Sequence, residues 1–252
     1  MVSLSHLTKK FAETVAVSNL NLNLKSGEIF GFLGPNGAGK TTTLKLIAGL
    51  LRPTEGTIEV CGYNVQKEPE RVKSLLGYVP DNPFIYEALS GREFLWFVGG
   101  LYRMEKREIE KRIAYYFEVF GINNWADAST EGYSHGMRQK IVLISALFHN
   151  PKVIIIDEPM VGLDPQSAHL VREIFKEERN KGKTIFLSTH TLSLAETICD
   201  RIGIINKGKL IALGMVEELR QLSEKRSKNL EELYFELTRY AISSHQILNS
   251  KS

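Results

Sequence analysis

The sequence predicts an α/β fold: a mostly parallel sheet, an N-terminal antiparallel β portion and an inserted helical subdomain. Three observations predict it. Glu28–Leu33 reads as a buried strand that runs through a glycine-rich turn into the helically spaced apolar residues of Thr43–Leu50. Aliphatic strands then alternate with helices from Lys152 to Ile211, the pattern of a parallel sheet covered by helices. Between these halves, Ser90–Asn150 is helical in pattern and poor in strand signals.

Taken in order, Val2–Leu7 and Leu20–Leu24 alternate apolar and polar residues, as half-buried antiparallel strands do, with Phe11 in the loop between them. Thr57–Cys61 reads as another strand, and Gly77–Val79 as a short one stopped by Pro80. Ser90 followed by Glu93 is a capping-box signature ahead of Phe94–Phe97. Glu105–Phe120 carries Ile109, Ile113, Tyr116, Phe117 and Phe120 on one helical face, and a third helix begins at Ser134 and runs towards Leu147. Lys152–Ile156 is a buried strand, Pro165–Lys181 a helix, Thr184–Ser188 the next strand and Leu192–Cys199 another helix. Arg201–Ile205 and Lys209–Ile211 suggest a hairpin turned at Asn206–Gly208. Met215–Tyr240 reads as two short helices with a polar joint at Lys225–Asn229, and Ala241–Ser252 as a polar tail. The expected domains are a core over 1–89 and 151–214, a helical subdomain over 90–150, and a C-terminal helical extension and tail over 215–252.

Composition narrows the classes. The chain has 252 residues, 43% hydrophobic and 24% charged, with a net charge of +3 that argues for neither nucleic acid nor an anionic surface. Cys61 and Cys199 form no metal-ligand spacing and fit a reduced, intracellular setting. The N-terminus lacks the apolar centre of a secretion signal, and no run approaches the roughly 18 apolar residues of a membrane span. The expectation is a chain soluble on its own, reaching a membrane only through a partner.

The glycine-rich turn, Gly34-Pro35-Asn36-Gly37-Ala38-Gly39-Lys40-Thr41-Thr42, has the spacing of a phosphate-binding loop between strand and helix. Glycines let successive backbone N–H groups turn inward to phosphate oxygens, and the following helix adds its unpaired N–H groups and positive dipole end. Lys40 is then expected to reach the β- and γ-phosphates, and Thr41 to place its hydroxyl on Mg²⁺. A nucleoside triphosphate is the implied ligand, and the core is that of a P-loop NTPase. Asp157-Glu158 leaves a strand at its C-terminal end, where open α/β sheets bind ligands. Asp157 is expected to hold Mg²⁺ through water, and Glu158 to orient and deprotonate the attacking water. His190 ends the strand expected beside that of Asp157 and can hydrogen-bond the γ-phosphate. The other histidines (His6, His135, His149, His169, His245) read as satisfied core residues. Ser134, capping a helix ahead of Gly136, is a second candidate anion site, though taken alone that stretch is better explained by a plain capped helix.

Together these stretches resemble the ATP-binding cassette (ABC) family, over most of Met1–Leu213 and with the motifs in family order. Gly34–Thr42 is similar to its Walker A, and Val153–Glu158 to its Walker B with the catalytic glutamate. Tyr133–Met137 resembles the signature, Gly162-Leu163-Asp164 the D-loop and Ser188-Thr189-His190 the switch-histidine loop. Phe11 stands where the family has an aromatic under adenine. The resemblance implies a head-to-tail dimer in which Ser134, His135, Gly136 and Met137 face the ATP of the opposite subunit, with Asp164 in the D-loop. Two positions depart from the family pattern. Asp81 replaces the usual Gln after Gly77–Pro80, leaving Asp81 or Asn82 to touch Mg²⁺ or its water, and His135 and Met137 replace the usual Gly and Gln.

The resemblance therefore implies an ATPase using ATP and Mg²⁺, a subunit of a membrane transporter peripheral on the cytoplasmic face of the membrane. Its expected partners are a second nucleotide-binding subunit, identical or not, and separate transmembrane permease subunits docking over Asp81–Tyr102 and the Ser90–Asn150 helices. Glu231–Thr238 resembles the C-terminus of simple bacterial exporter ATPases, which points to export. The alternative is a soluble ABC ATPase acting on nucleic acid or ribosomes. Against it, no coiled-coil heptads separate Lys40 from Asp157 and only one cassette is present, so no nucleic acid is expected.

Overall fold

A computed structural model describes residues 1–221 together with Glu232, Tyr234 and Phe235. The expected two helices of Met215–Tyr240 therefore fall mostly outside the described residues, apart from a helix over Val216–Gln221, and the 241–252 tail falls wholly outside them.

Two sheets organise the chain. The first is antiparallel, in the order β2-β1-β4-β5, from β1 (Val2–Phe11), β2 (Thr14–Leu24), β4 (Glu55–Val60) and β5 (Tyr63–Asn64). The second runs β10-β9-β3-β8-β7-β6. In it β9 (Arg201–Asn206), β3 (Ile29–Leu33), β8 (Thr184–Thr189), β7 (Val153–Asp157) and β6 (Leu76–Val79) are parallel, and β10 (Lys209–Gly214) closes the edge as an antiparallel hairpin with β9. The predicted mixed α/β architecture is the observed one.

The central strands β3, β7 and β8 are buried along their whole length, which is why they read as aliphatic runs and not as alternations. Successive side chains still leave on opposite faces. Phe30, Phe32 and Phe186 pack edge to face, at 5.3 and 5.5 Å between Phe186 and the other two rings, and join helix α1 (Lys40–Ile47) in the apolar layer beneath the antiparallel sheet. On the other face, Ile154 and Ile156 meet the helices α3 (Gly91–Leu101), α4 (Lys106–Val119), α5 (His135–Phe148) and α6 (Pro165–Asn180). One apolar cluster thus runs from Phe94 and Phe117 through Phe148 to the sheet.

The expected caps at Ser90 and Ser134 are present, and Asp164 adds one that the sequence reading did not name. Ser90 and Glu93 form both halves of a capping box, the Ser134 Oγ accepts from the Met137 N–H, and Asp164 caps α6 through the Ser167 N–H at 2.9 Å.

The departures have local causes. The β1–β2 hairpin is longer than the alternation suggested because bulges, with His6 and Asn19 at positive φ, break the alternation midway. Phe11 accordingly ends β1 and does not sit in a loop; the turn is Ala12–Glu13. Three small elements were not anticipated: the two-residue β5, a 3-10 turn over Thr130–Gly132, and α2 (Pro69–Ser74), a short helix headed by a proline whose missing N–H costs nothing at that position. The core reading of the remaining histidines fails for His6, His135 and His169, which are exposed, and His245 lies outside the described residues. His149 is half-buried, stacked on Tyr102 at 3.6 Å with Nδ1 unpartnered, and burial pushes its pKa down to about 4.

Candidate functional site

The strand order decides the site. β3, β8 and β7 lie side by side and parallel, so the loops leaving their C-terminal ends emerge at one edge. Gly34 succeeds β3, His190 succeeds β8, and Asp157 closes β7 with Glu158 next. Residues more than 150 positions apart in the chain become neighbours because Leu33 pairs with Thr189 and Asp157 with Ser188.

The loop Gly34–Gly39 is held from behind by backbone. Gly37 and Gly39 have φ of 79° and 108°, which side chains rarely tolerate. A Cβ at Gly39 would collide with the Ala16 carbonyl of β2, and one at Gly34 with the Ile205 carbonyl of β9. The Ala38 carbonyl accepts from the Gly208 N–H at 2.9 Å, so the β9–β10 turn braces the same loop. Pro35, Asn36 and Gly37 face outwards, Thr41 and Thr42 are half-buried in the first turn of α1, and the Thr43 hydroxyl donates to the Gly39 carbonyl. Buried Lys40 donates from Nζ to the Gly34 and Pro35 carbonyls at 2.7 and 3.2 Å. Burial lowers its pKa, while Glu158 and Asp157 pull it back up, which places both carboxylates within electrostatic reach of the ammonium.

Asp157 is 1% exposed. Its Oδ1 accepts from the Ser188 hydroxyl, while its Oδ2 is buried without a partner. An unpaired buried carboxylate oxygen is costly, of order 1–3 kcal/mol or more, unless a cation or water meets it. Among the described residues no three His, Cys, Asp or Glu side chains cluster as a metal cage. The unpartnered Asp157 Oδ2 suits Mg²⁺, which takes one or two protein oxygens and completes its shell with phosphates and waters. Asp157 Oδ2 and the Thr41 hydroxyl fit that role.

Glu158 has a φ of 52°, a left-handed turn after the strand. Its N–H donates to the Ser188 carbonyl at 3.2 Å and lies 3.4 Å from the Ser188 hydroxyl. Its Oε1 meets His190 Nδ1 at 2.8 Å, with the imidazole more than half exposed. Carboxylate and imidazole thus form a pair at the mouth of the edge. Sequence reasoning placed Ser188 in the switch-histidine loop but missed its role, which is to tie the two acidic residues to β8 through one hydroxyl. Serine inside an otherwise aliphatic strand was the available signal.

Phe11 is 45% exposed at the tip of the hairpin whose second strand touches Gly39, with Lys9 Nζ 4.8 Å above its ring. It is not a core residue, and its ring is partly exposed beside the Lys9 ammonium. Asp81 is exposed just past β6, its Oδ1 accepting from the Asn82 N–H. Behind it the Tyr78 hydroxyl is buried without a partner, its pKa raised by burial and by Asp157 and Asp81.

Ser134–Met137 forms a separate corner. Ser134 and His135 are exposed at the start of α5, and Gly136 lies against Gly162, where an added Cβ would stand 2.7 Å from the Gly162 carbonyl oxygen. Lys140 approaches Asp164 at 3.9 Å. This corner therefore contacts the loop after Glu158 within its own chain.

An ABC transporter family model matches residues 17–161. The linearmycin resistance ATP-binding protein LnrL of Bacillus subtilis (strain 168) is 38% identical over 219 residues, 87% of this chain and 70% of that protein. The ABC transporter ATP-binding protein NatA of the same organism is 34% identical over 239 residues, covering 93% of this chain and 96% of that one. Among solved structures, an ATP binding subunit of an ABC transporter superposes with a TM-score of 0.90 at 33% identity, over 94% of this chain and 99% of that chain. A dimeric post-hydrolysis state of the ATP-binding cassette MJ0796, bound to ADP and Pi, gives 0.79 at 27%, over 85% and 98%.

Proposed function

The chain belongs to the ABC transporter family, and we propose that it is the ATPase subunit of an exporter whose membrane path lies in separate spanning subunits. As a family member it is an ATP-binding subunit of a transporter and an ATPase using ATP with Mg²⁺. The observation that carries the hydrolytic assignment is the Glu158–His190 pair, set beside Lys40 and the half-satisfied Asp157 at one sheet edge.

In this reading the triphosphate lies along Gly34–Thr42, with loop N–H groups and the α1 dipole meeting its oxygens. Phe11 stacks on the base, and such stacking is worth about 1–3 kcal/mol. Lys40 leaves its loop carbonyls for the β- and γ-phosphates. Mg²⁺, when bound, neutralises charge on those oxygens; Thr41 and Asp157 are the residues that hold it, with Asp81 as a further contact through water. Glu158 orients a water and takes its proton while the water oxygen bonds to the γ-phosphorus and the bond to the β-bridging oxygen breaks, releasing ADP and phosphate. His190 steadies Glu158 through Nδ1 and turns its free Nε2 towards the γ-phosphate.

The second half of each site would come from a partner cassette, head to tail, through the α5 start at Ser134, Gly136 and Met137, with the Asp164 loop between the two centres. Dimeric solved cassettes support this reading. An ATPase rate rising faster than linearly with protein concentration is expected; a strictly linear rate would refute the shared site.

Support for separate spanning subunits comes from relatives that are themselves ATP-binding proteins of ABC transporters. Among the described residues no helix is long and apolar enough to cross a membrane. Phe84, Tyr86 and Phe97 form an exposed edge-to-face aromatic group that suits permease docking on the cytoplasmic side of the membrane. The relative named for linearmycin resistance supports export, since removing a compound protects a cell. Co-purification with a polytopic membrane protein from solubilised membranes is expected, together with ATP-driven accumulation of its cargo in inside-out vesicles. Accumulation in right-side-out vesicles would reverse the direction.

A further inference from the structure

His135 stands at the exposed start of α5, where its ring packs into the notch left by Gly162. A Cβ built on Gly162 would land on the His135 Cδ2 and lie 2.9 Å from Nε2 and 3.1 Å from Cγ. The absence of a side chain at Gly162 is thus what admits the ring. Gly162 also has a φ of 78°, so glycine is required there twice, by backbone and by space. The adjoining Gly136 abuts the same residue's carbonyl oxygen. Two consecutive residues of the α5 start therefore grip one residue of the loop.

The gripped loop leads directly to Glu158. The Val161 N–H bonds the Glu158 carbonyl and the Leu163 N–H bonds the Met160 carbonyl, both at 3.3 Å, so Glu158–Leu163 is two weakly tied turns. At its far end Asp164 caps α6 and lies near Lys140 of α5. Such long hydrogen bonds cannot hold a loop by themselves. Ser188 holds the Glu158 end through the Glu158 N–H, and the His135 ring and the Asp164 cap supply stiffness at the Gly162–Asp164 end.

We propose that His135 is a positioning residue: its ring fixes Gly162, and through the Glu158–Leu163 turns the direction of the Glu158 carboxylate, instead of reading the nucleotide itself. This rests on Glu158 acting as the base. A small residue at position 135 leaves the notch open, and the loop then acquires freedom that the rest of the site does not share.

The test uses the full chain, with three variants: His135→Gly, Gly162→Ala and the double substitution. Amide exchange detected by NMR, together with steady-state ATPase kinetics, is the readout. In His135→Gly the Val161 and Leu163 amides should exchange at least fivefold faster, with Ala38 and Thr43 of the phosphate loop unchanged. The kcat should fall about three- to tenfold, with KM for ATP within twofold. Gly162→Ala should fall further, because its methyl strikes the ring and its φ of 78° disfavours a side chain, and the double variant should recover the part due to the ring clash only, with kcat between those of Gly162→Ala and His135→Gly. Unchanged exchange at Val161 and Leu163 would overturn the proposal, as would a raised KM with unaltered kcat, the signature of a lost nucleotide contact. Failure of the Glu158 reading looks different. Glu158→Gln would then turn over normally, while the exchange comparison still decides whether His135 holds the loop.

Discussion

The phosphate-loop edge and the Ser134 corner are both built on a helix start, and they differ in what stands behind it. At α1 the loop is clamped by three other elements: the Ala16 carbonyl of β2, the Ile205 carbonyl of β9 and the Gly208 N–H of the β9–β10 turn. Its lysine is buried, and of the acidic residues facing it Asp157 closes β7 in register with Ser188 of β8 and Glu158 follows directly. At α5 the helix start is exposed and capped by its own Ser134, and on the site side it meets a loop with two long hydrogen bonds. One helix N-terminus is rigid and surrounded; the other is open on its outer side. A rigid pocket can hold charge without help, whereas an open helix end gains its full effect when another surface excludes water from it.

That contrast can be broken most sharply at Glu158. Glu158→Gln should leave ATP binding intact and lower turnover by about 10²–10⁴-fold, the scale for loss of a general base. A near-normal turnover measured by phosphate release would take the residue out of the chemistry. Lys40→Ala is the next largest: losing a charge-assisted contact worth about 1.5–3 kcal/mol should weaken ATP binding about 10–150-fold in equilibrium titration. Unchanged affinity there would mean that the buried lysine serves only its loop carbonyls.

At the open corner the expectation is different in kind. Ser134→Ala should cost about 1 kcal/mol of stability, from the lost cap, in thermal unfolding. ATP affinity of the dilute chain should stay as it was, while turnover at high protein concentration falls. An equal loss of affinity in dilute protein would place Ser134 in its own chain's site and erase the contrast. The smallest effect is expected at exposed Asp81. Asp81→Gln should retain hydrolysis and Asp81→Ala should reduce it two- to fivefold, the scale of an exposed water-mediated contact of about 0.5–1 kcal/mol. Identical rates in all three forms would make the position irrelevant.

Much of this arrangement is legible in the linear chain. The glycine loop announces itself because phosphate geometry demands N–H groups at close approach, and few sequences other than Gly-rich ones permit that. The aliphatic runs at Ile29–Leu33 and Val153–Ile156 announce buried strands because a parallel sheet covered on both faces leaves no polar face to alternate. Ser90 and Ser134 announce helix starts because their hydroxyls compete for backbone N–H groups. Phe11 was misplaced since the bulges of β1 hide the period from a linear reading, and α2 was missed since so short a helix does not show a period.

Local chemistry, then, belongs to the sequence alone: which residues turn, which cap, which strands are buried and which types suit phosphate. Those properties depend on neighbours within a few positions, so a linear reading reaches them. Proximity belongs to the tertiary structure. Only the order β3-β8-β7 brings Lys40, Asp157, Glu158 and His190 to one edge, only that pairing lets Ser188 hold Asp157, and only the packing of α5 against the loop after β7 sets the His135 ring into the notch of Gly162. Strand order depends on how buried faces are shared across the whole core, a property that no short stretch of chain carries.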